Sequence, residues 1–247
     1  MNKSCIVKAH TAGFFSLVNC VITCMDLYEN VAVDWRDSLY CKEDLWPMLF
    51  EALPPLSEGE HDVVTNYPDQ WLTYRHAGLL YQGKGRTDWR QCCHRHWQKI
   101  KPLPRVTGFV DWFVEDYFRK RPVVAAIVRA HGHAGEQLTD RSQTLDEYAA
   151  AIEAELCGND VYIASSDEQS LSWFCDRFNV FQHPGTKRSE TRDVDRHRVV
   201  KQDWRDALNV LQEALIISQA DVLVHPISNI ATACLYMNTD LKSIYLS

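Results

Sequence analysis

The stretch RPVVAAIVRAHGHAGEQ, residues 121–137, closes an apolar run at Val128 and then delivers Arg129, His131, His133 and Glu136, with Gly132 and Gly135 among them. Arginine is a planar, permanently charged fork that matches a pyrophosphate. Glycines let the backbone approach a ligand closely. Histidine and glutamate are the usual proton carriers of catalysis. The structural alternative is an Arg129 paired to a core carboxylate and histidines solvated in a loop.

Two more strand ends carry polar residues. In DVLVHPISNIATACLYM, residues 221–237, an apolar run meets His225 and Pro226, and Ser228 or Asn229 then opens a helix of small residues. The unpaired N–H groups of such a start, with a serine hydroxyl beside them, suit an anion. In ASSDEQ, residues 164–169, Asp167 reads first as part of a helix cap with an acidic first turn, and also as a holder of a sugar or ribose hydroxyl. GTKRSETRDVDRHR, residues 185–198, is too polar for a regular element and longer than most connections; it reads as a binding loop or as disorder.

Other chemistries compete for the same residues. His131 and His133 with Asp167 and His225 offer imidazole and carboxylate ligands for zinc or manganese, as a metal-dependent hydrolase would use. VRAHG approaches the Arg-His-Gly signature of histidine phosphatases, but Ala130 separates the arginine from the histidine. QCCHRHW, residues 91–97, holds Cys92, Cys93, His94 and His96 without a second ligand pair at zinc-finger spacing, so it reads as a helix of mixed faces.

Something must position these turns. After Arg121 the runs VVAAIV, DVYIAS, NVFQ, DVLVHP and LKSIYL alternate with helical segments, and Thr144 with Glu147 and Ser166 with Gln169 have capping-box spacing. Such alternation means βαβ units and a parallel sheet covered on both faces, which binds ligands beyond the carboxyl ends of its strands. The first forty residues read strand, helix, strand: CIVKA, GFFSLVNCVITCMDLY and VAVDW. Between Asp37 and Lys120 the chain is helical and tryptophan-rich, with no clear third strand. The expected division is residues 1–120 and 121–247.

The 247 residues suffice for one large or two small domains. The net charge of -7 argues against a general nucleic-acid binder, and Asn19 and Thr23 break the apolar run from Ala12 to Met25 too early for a membrane span. Nine irregularly spaced cysteines fit reduced core thiols and a cytoplasmic setting better than a disulfide framework.

Four stretches together resemble GT-B glycosyltransferases of the fucosyltransferase superfamily, which includes bacterial nodulation and eukaryotic α1,6- and O-fucosyltransferases. They are HTAGFFSLVN (10–19), VAVDWRDSLY (31–40), AAIVRAHGHAGEQ (125–137) and ADVLVHPISNIATACLYM (220–237). Ile127 stands where the family often has a histidine, and Ala130 where it commonly has a second arginine. The resemblance implies two Rossmann-like α/β domains, the N-terminal one reduced, and an inverting, metal-independent transfer from a GDP-sugar, GDP-fucose above all, to a glycan or other hydroxyl. It implies no cofactor. The donor would be held by Gly13, Asn19, Arg129, Gly132, Asp167, His225, Ser228 and Asn229, and the chemistry would fall to Arg129, His131 and Glu136. Asp34, Glu136 and Asp193 are the candidate bases. A non-catalytic nucleotide-sugar binder is the alternative.

Overall fold

The computed structural model describes residues 3–56, 58–65, 88–129, 143–158, 160–192 and 201–246. His131, Gly132, His133, Glu136 and Asp193 lie outside the described residues.

Two parallel sheets organise the chain. The first has the order β2-β1-β3, with β1 at Ser4–Lys8, β2 at Asn30–Asp34 and β3 at Asp62–Val64. The second has the order β6-β5-β4-β7-β8, formed by Val124–Val128 (β4), Asp160–Ser165 (β5), Asn179–Phe181 (β6), Val222–His225 (β7) and Lys242–Tyr245 (β8). All the expected strands are present. The short β3 was not foreseen, because its three residues are partly exposed and carry no apolar run.

The helices are α1 (Phe14–Leu27), α2 (Trp46–Leu49), α3 (Trp89–Trp97), α4 (Pro104–Tyr117), α5 (Leu145–Glu153), α6 (Glu168–Cys175), α7 (Trp204–Ile217) and α8 (Asn229–Met237). Thr144 and Glu147 form the expected capping box on α5. The other expected box does not form. Asp167 caps α6 instead, its carboxylate accepting from Ser170 N–H at 2.7 Å, while Gln169 Oε1 accepts from Arg192 N–H.

Strand β4 shows why its sequence is apolar throughout: every residue is buried, on alternating faces. Val124, Ala126 and Val128 pack with Tyr148, Ile152 and Phe174 of α5 and α6. Ala125 and Ile127 face the larger core that also holds α1, α4, α7 and α8. That core is continuous with the first sheet through Cys5, Val7 and Val31. Trp35, Tyr40, Trp46 and Phe50 of the segment after β2 pack ring against ring with one another and with Phe14 at the start of α1. Burying each such side chain is worth about 1.5–3 kcal/mol, which accounts for the tryptophan-rich composition there. None of the nine cysteines forms a disulfide, and six are buried.

From β4 the chain moves outward through β5 and β6, then returns to place β7 on the other side of β4. The order therefore reverses at β4 and β7, the place where open α/β sheets take ligands.

Candidate functional site

A cavity of about 350 Å³ opens at that reversal, within the size range of small-molecule sites. Its wall comes from four elements: the turn into α1 (Thr11 to Ser16), the exit of β4 (Ile127 to Arg129), the exit of β5 (Ala164 to Ser166) and the start of α8 (Ser228 to Ile230). Leu39 and Tyr40 of the segment after β2 also line it, as do Thr186 of the loop after β6 and Val210 and Glu213 of α7.

Arg129 is the one cation among the described lining residues. Its Nη1 donates to the carbonyl of Ile227 at 3.0 Å, which holds the fork against the turn opening α8. Behind the strand exit, Arg192 is buried and donates from Nη2 to the Gln143 carbonyl at 2.8 Å and to that of Arg129 at 3.4 Å.

Ser228 is the N-cap of α8, its hydroxyl accepting from Ala231 N–H at 3.0 Å. Gly13 holds the same place on α1, where the Phe14 N–H donates to the Tyr40 hydroxyl at 2.9 Å. Two helix amino ends thus border one cavity beside a guanidinium. Each such end favours an anion by about 0.3–1 kcal/mol, and by up to about 2 when partly buried. Ser166 adds a hydroxyl that is shielded from solvent and has no hydrogen-bond partner among the described residues.

Of the residues expected to hold a donor, Gly13, Arg129, Ser228 and Asn229 line the cavity. Three others are placed behind or beside it. Asn19 is buried in α1, and its amide nitrogen donates to the carbonyl and Oδ1 of Asn229, both at 3.1 Å. The Tyr236 hydroxyl donates to Asn19 Oδ1 at 2.9 Å. Asn19 therefore ties α1 to α8 and orients Asn229. Asp167 is fully buried as the cap of α6. His225 is fully buried too, with Nδ1–H donating to the Pro226 carbonyl at 2.9 Å and Nε2 accepting from Ser243 at 2.7 Å. Burial pushes its pKa down to about 4, so it is neutral.

Asp167 and His225 do not meet in a metal cluster. Their strands flank β4 on opposite sides, roughly 9.5 Å apart by strand spacing. Asp34 is also a poor base. Its carboxylate accepts from the Arg36 guanidinium and from Lys8, which together hold it well below the usual carboxylate range. It does not line the cavity.

The polar loop after β6 is anchored as far as it is described. Ser189 bridges to Asp167, its N–H donating to the Ser166 carbonyl and its own carbonyl accepting from Glu168 N–H. Thr186 of this loop reaches the cavity and its hydroxyl donates to Glu213 Oε1 at 3.4 Å.

Glu213 is the residue that the sequence reading missed. It is the one carboxylate among the described lining residues, and it is 6% exposed. A signal existed. Asp206, Val210, Glu213 and Ile217 follow helical spacing along one stripe of α7, and an acid inside such a stripe is a buried acid.

No protein-family model matches the chain, and no curated protein matches it in sequence. Among solved structures, fucosyltransferase NodZ from Bradyrhizobium aligns at a TM-score of 0.61 and 14% identity, over 96% of this chain and 94% of that one. A NodZ alpha-1,6-fucosyltransferase soaked with GDP-fucose aligns at 0.60 and 14%, over 96% and 93%. POFUT1 in its apo form aligns at 0.50 and 10%, over 100% and 98%. The chain thus has the GT-B architecture of these fucosyltransferases, two parallel sheets included, at identities that establish the fold alone.

Proposed function

We propose that the chain is a glycosyltransferase that binds GDP-fucose in this cavity and transfers the sugar, with inversion and without a metal, to a hydroxyl of a glycan. The observation that carries the reading is the convergence of Arg129 and the amino ends of α1 and α8 on one cavity. In such a transfer the bond from the sugar C1 to a diphosphate oxygen breaks and the bond from the acceptor oxygen to C1 forms. The acceptor proton passes to a base, and the diphosphate departs with added negative charge. A guanidinium and oriented amides beside the leaving oxygen stabilise that charge as it develops. The fold shared with a NodZ structure soaked with GDP-fucose supports this choice of donor.

Glu213 is proposed as the base. It is the one carboxylate among the described lining residues, and because a carboxylate repels a diphosphate, the acceptor hydroxyl suits it better than the leaving group. Transfer is tested by GDP release from GDP-fucose over a panel of glycan acceptors, with thermal stabilisation by GDP-, UDP- and dTDP-sugars identifying the nucleotide. Stabilisation by UDP- or dTDP-sugars but not by GDP would overturn the donor assignment.

One observation favours a second reading, a nucleotide-sugar binder without turnover: among the described residues the first sheet has three strands, one of them three residues long. Stabilisation by GDP-fucose with no GDP release over the whole acceptor panel selects it.

A further inference from the structure

At the far end of α1 from the cavity, three side chains with metal-binding chemistry meet. Asp26 lies in the last turn of α1, and Cys92 and His96, four residues apart, share one face of α3. Cys92 Sγ is 3.0 Å from Asp26 Oδ1, and His96 Nε2 is 3.3 Å from the same oxygen. All three ligand atoms lie within 4.8 Å of one another. Zinc bonds of about 2.3 Å to sulfur and about 2.0–2.2 Å to nitrogen or oxygen put tetrahedral ligands about 3.3–3.6 Å apart. The side chains already stand close to that spacing.

We propose that Asp26, Cys92 and His96 bind one zinc ion that staples α1 to α3. Thiolate with imidazole selects zinc over magnesium or calcium. On binding, the Cys92 thiol releases its proton to solvent, and the His96 proton resides on Nδ1 while Nε2 gives its lone pair to the metal. No oxidation or reduction occurs. One thiolate, one carboxylate and a neutral imidazole balance the two positive charges, which suits a largely buried place. Cys92 is 1% exposed, whereas the His96 and Asp26 side chains are 13% and 20% exposed, which leaves a solvent side for a water as fourth ligand. Among the described residues His96 Nδ1 has no hydrogen-bond partner, and the ring's one such contact is at Nε2.

The site is distinct from the cavity. Phe14 and Asp26 stand twelve residues apart on α1, about 18 Å along its axis. The consequence is structural. Helix α3 also grips the end of α8, through His94 Nδ1 and the Tyr236 carbonyl at 2.8 Å, and the turn that follows it, through Arg90 Nη1 and the Leu241 carbonyl at 3.0 Å. A staple between α1 and α3 steadies the two helices whose starts border the cavity.

The test is independent of any transferase activity. The full chain, stripped with chelator, is titrated with zinc alone by calorimetry and with cobalt(II) by visible absorption. One equivalent should bind, with a thiolate charge-transfer band in the cobalt form and a higher melting temperature in the zinc form. Cys92→Ser should remove the band. Asp26→Asn, at a partly exposed position that tolerates an isosteric change, should weaken zinc by more than the ten- to hundredfold typical of an outer-shell partner. Cys157→Ser, at an exposed thiol, should change nothing. Absence of stoichiometric uptake overturns the proposal, as does uptake that survives Asp26→Asn and Cys92→Ser or disappears with Cys157→Ser.

Discussion

Arg129 Nη1 lies 3.0 Å from the carbonyl oxygen of Ile227, a contact between residues 98 positions apart that joins the exit of β4 to the start of α8. It forms where the strand order of the second sheet reverses. One cation is thereby fixed next to a helix amino end, before any ligand is bound.

Removing that cation should be felt by a diphosphate. Arg129→Ala is expected to weaken GDP binding by about 1.5–3 kcal/mol, the range for hydrogen bonds to a charged group. Arg129→Lys should recover only part of the loss, since a point charge replaces the planar fork. Calorimetry gives both values. An unchanged affinity in Arg129→Ala would remove this residue from the site.

Asn19 should matter without touching the ligand. Its amide serves Asn229 twice and accepts from Tyr236, all at buried or half-buried positions. Asn19→Ala removes all three bonds at once and should cost about 1–3 kcal/mol of stability. Tyr236→Phe, which loses one bond, should cost about 0.5–1.5 kcal/mol. GDP affinity should fall with Asn19→Ala as well, because Asn229 loses its orientation. Denaturant unfolding paired with GDP titration separates the two effects. A fall in affinity with full stability retained would return Asn19 to the ligand contacts.

Most of this architecture was legible in the chain. Buried parallel strands must be apolar on both faces, so β4, β5 and β7 stand out as runs. Polar residues directly after such runs, Arg129 and Ser228 among them, then fall at the carboxyl edge where ligands bind. What was hidden depends on distant partners. Asn19 finds Asn229 some 210 positions away, and no local pattern shows that an amide in a helix will be spent on another helix. Tyr40 reaches the first amide of α1 only because the aromatic cluster folds its segment back. Asp167 and His225 sit at the expected strand ends, yet a cap and a pair of close neighbours take up their polar atoms. Glu213 went unnoticed because it is embedded in an apolar helix face, where attention goes to packing.

Stability should fall as acidity rises below neutral pH. His183 is 2% exposed, its Nε2–H donating to Gln212 Oε1 at 3.1 Å while Nδ1 accepts from Gly185 N–H at 3.1 Å. Burial, the first cause, lowers its pKa from 6.5 to about 4, and a proton on Nδ1 would face another N–H. Above pH 6.5 neither the folded nor the unfolded chain protonates this ring. Between 6.5 and about 4 the unfolded chain takes up the proton and the folded one does not, so stability is lost as pH falls through that window, by roughly 3 kcal/mol at the limit. His225, lowered to about 4 in the same way, adds to the slope. Melting temperatures from pH 7.5 to 4.5 should drop less steeply in His183→Gln than in the parent chain. Parallel slopes would mean that the ring protonates without penalty in the fold.

Glu213 gives the sharpest test of the transfer chemistry. Its carboxylate is buried on the cavity wall and accepts from Thr186, while Asp34 is held by Arg36 and Lys8 elsewhere. A base acts on the acceptor proton in the transition state and contributes little to holding the donor. Glu213→Gln keeps the shape and removes the proton acceptor, so kcat should fall by about 10²–10⁴-fold, the range for general-base catalysis, with GDP affinity nearly unchanged. The substitution should also flatten the acidic limb of the kcat profile, where protonation of the base normally stops turnover. Thr186→Val, which deletes the hydroxyl beside it, should lower kcat far less. A Glu213→Gln chain that keeps its kcat but loses affinity for GDP would assign this carboxylate to the nucleotide, and the base would have to be sought elsewhere.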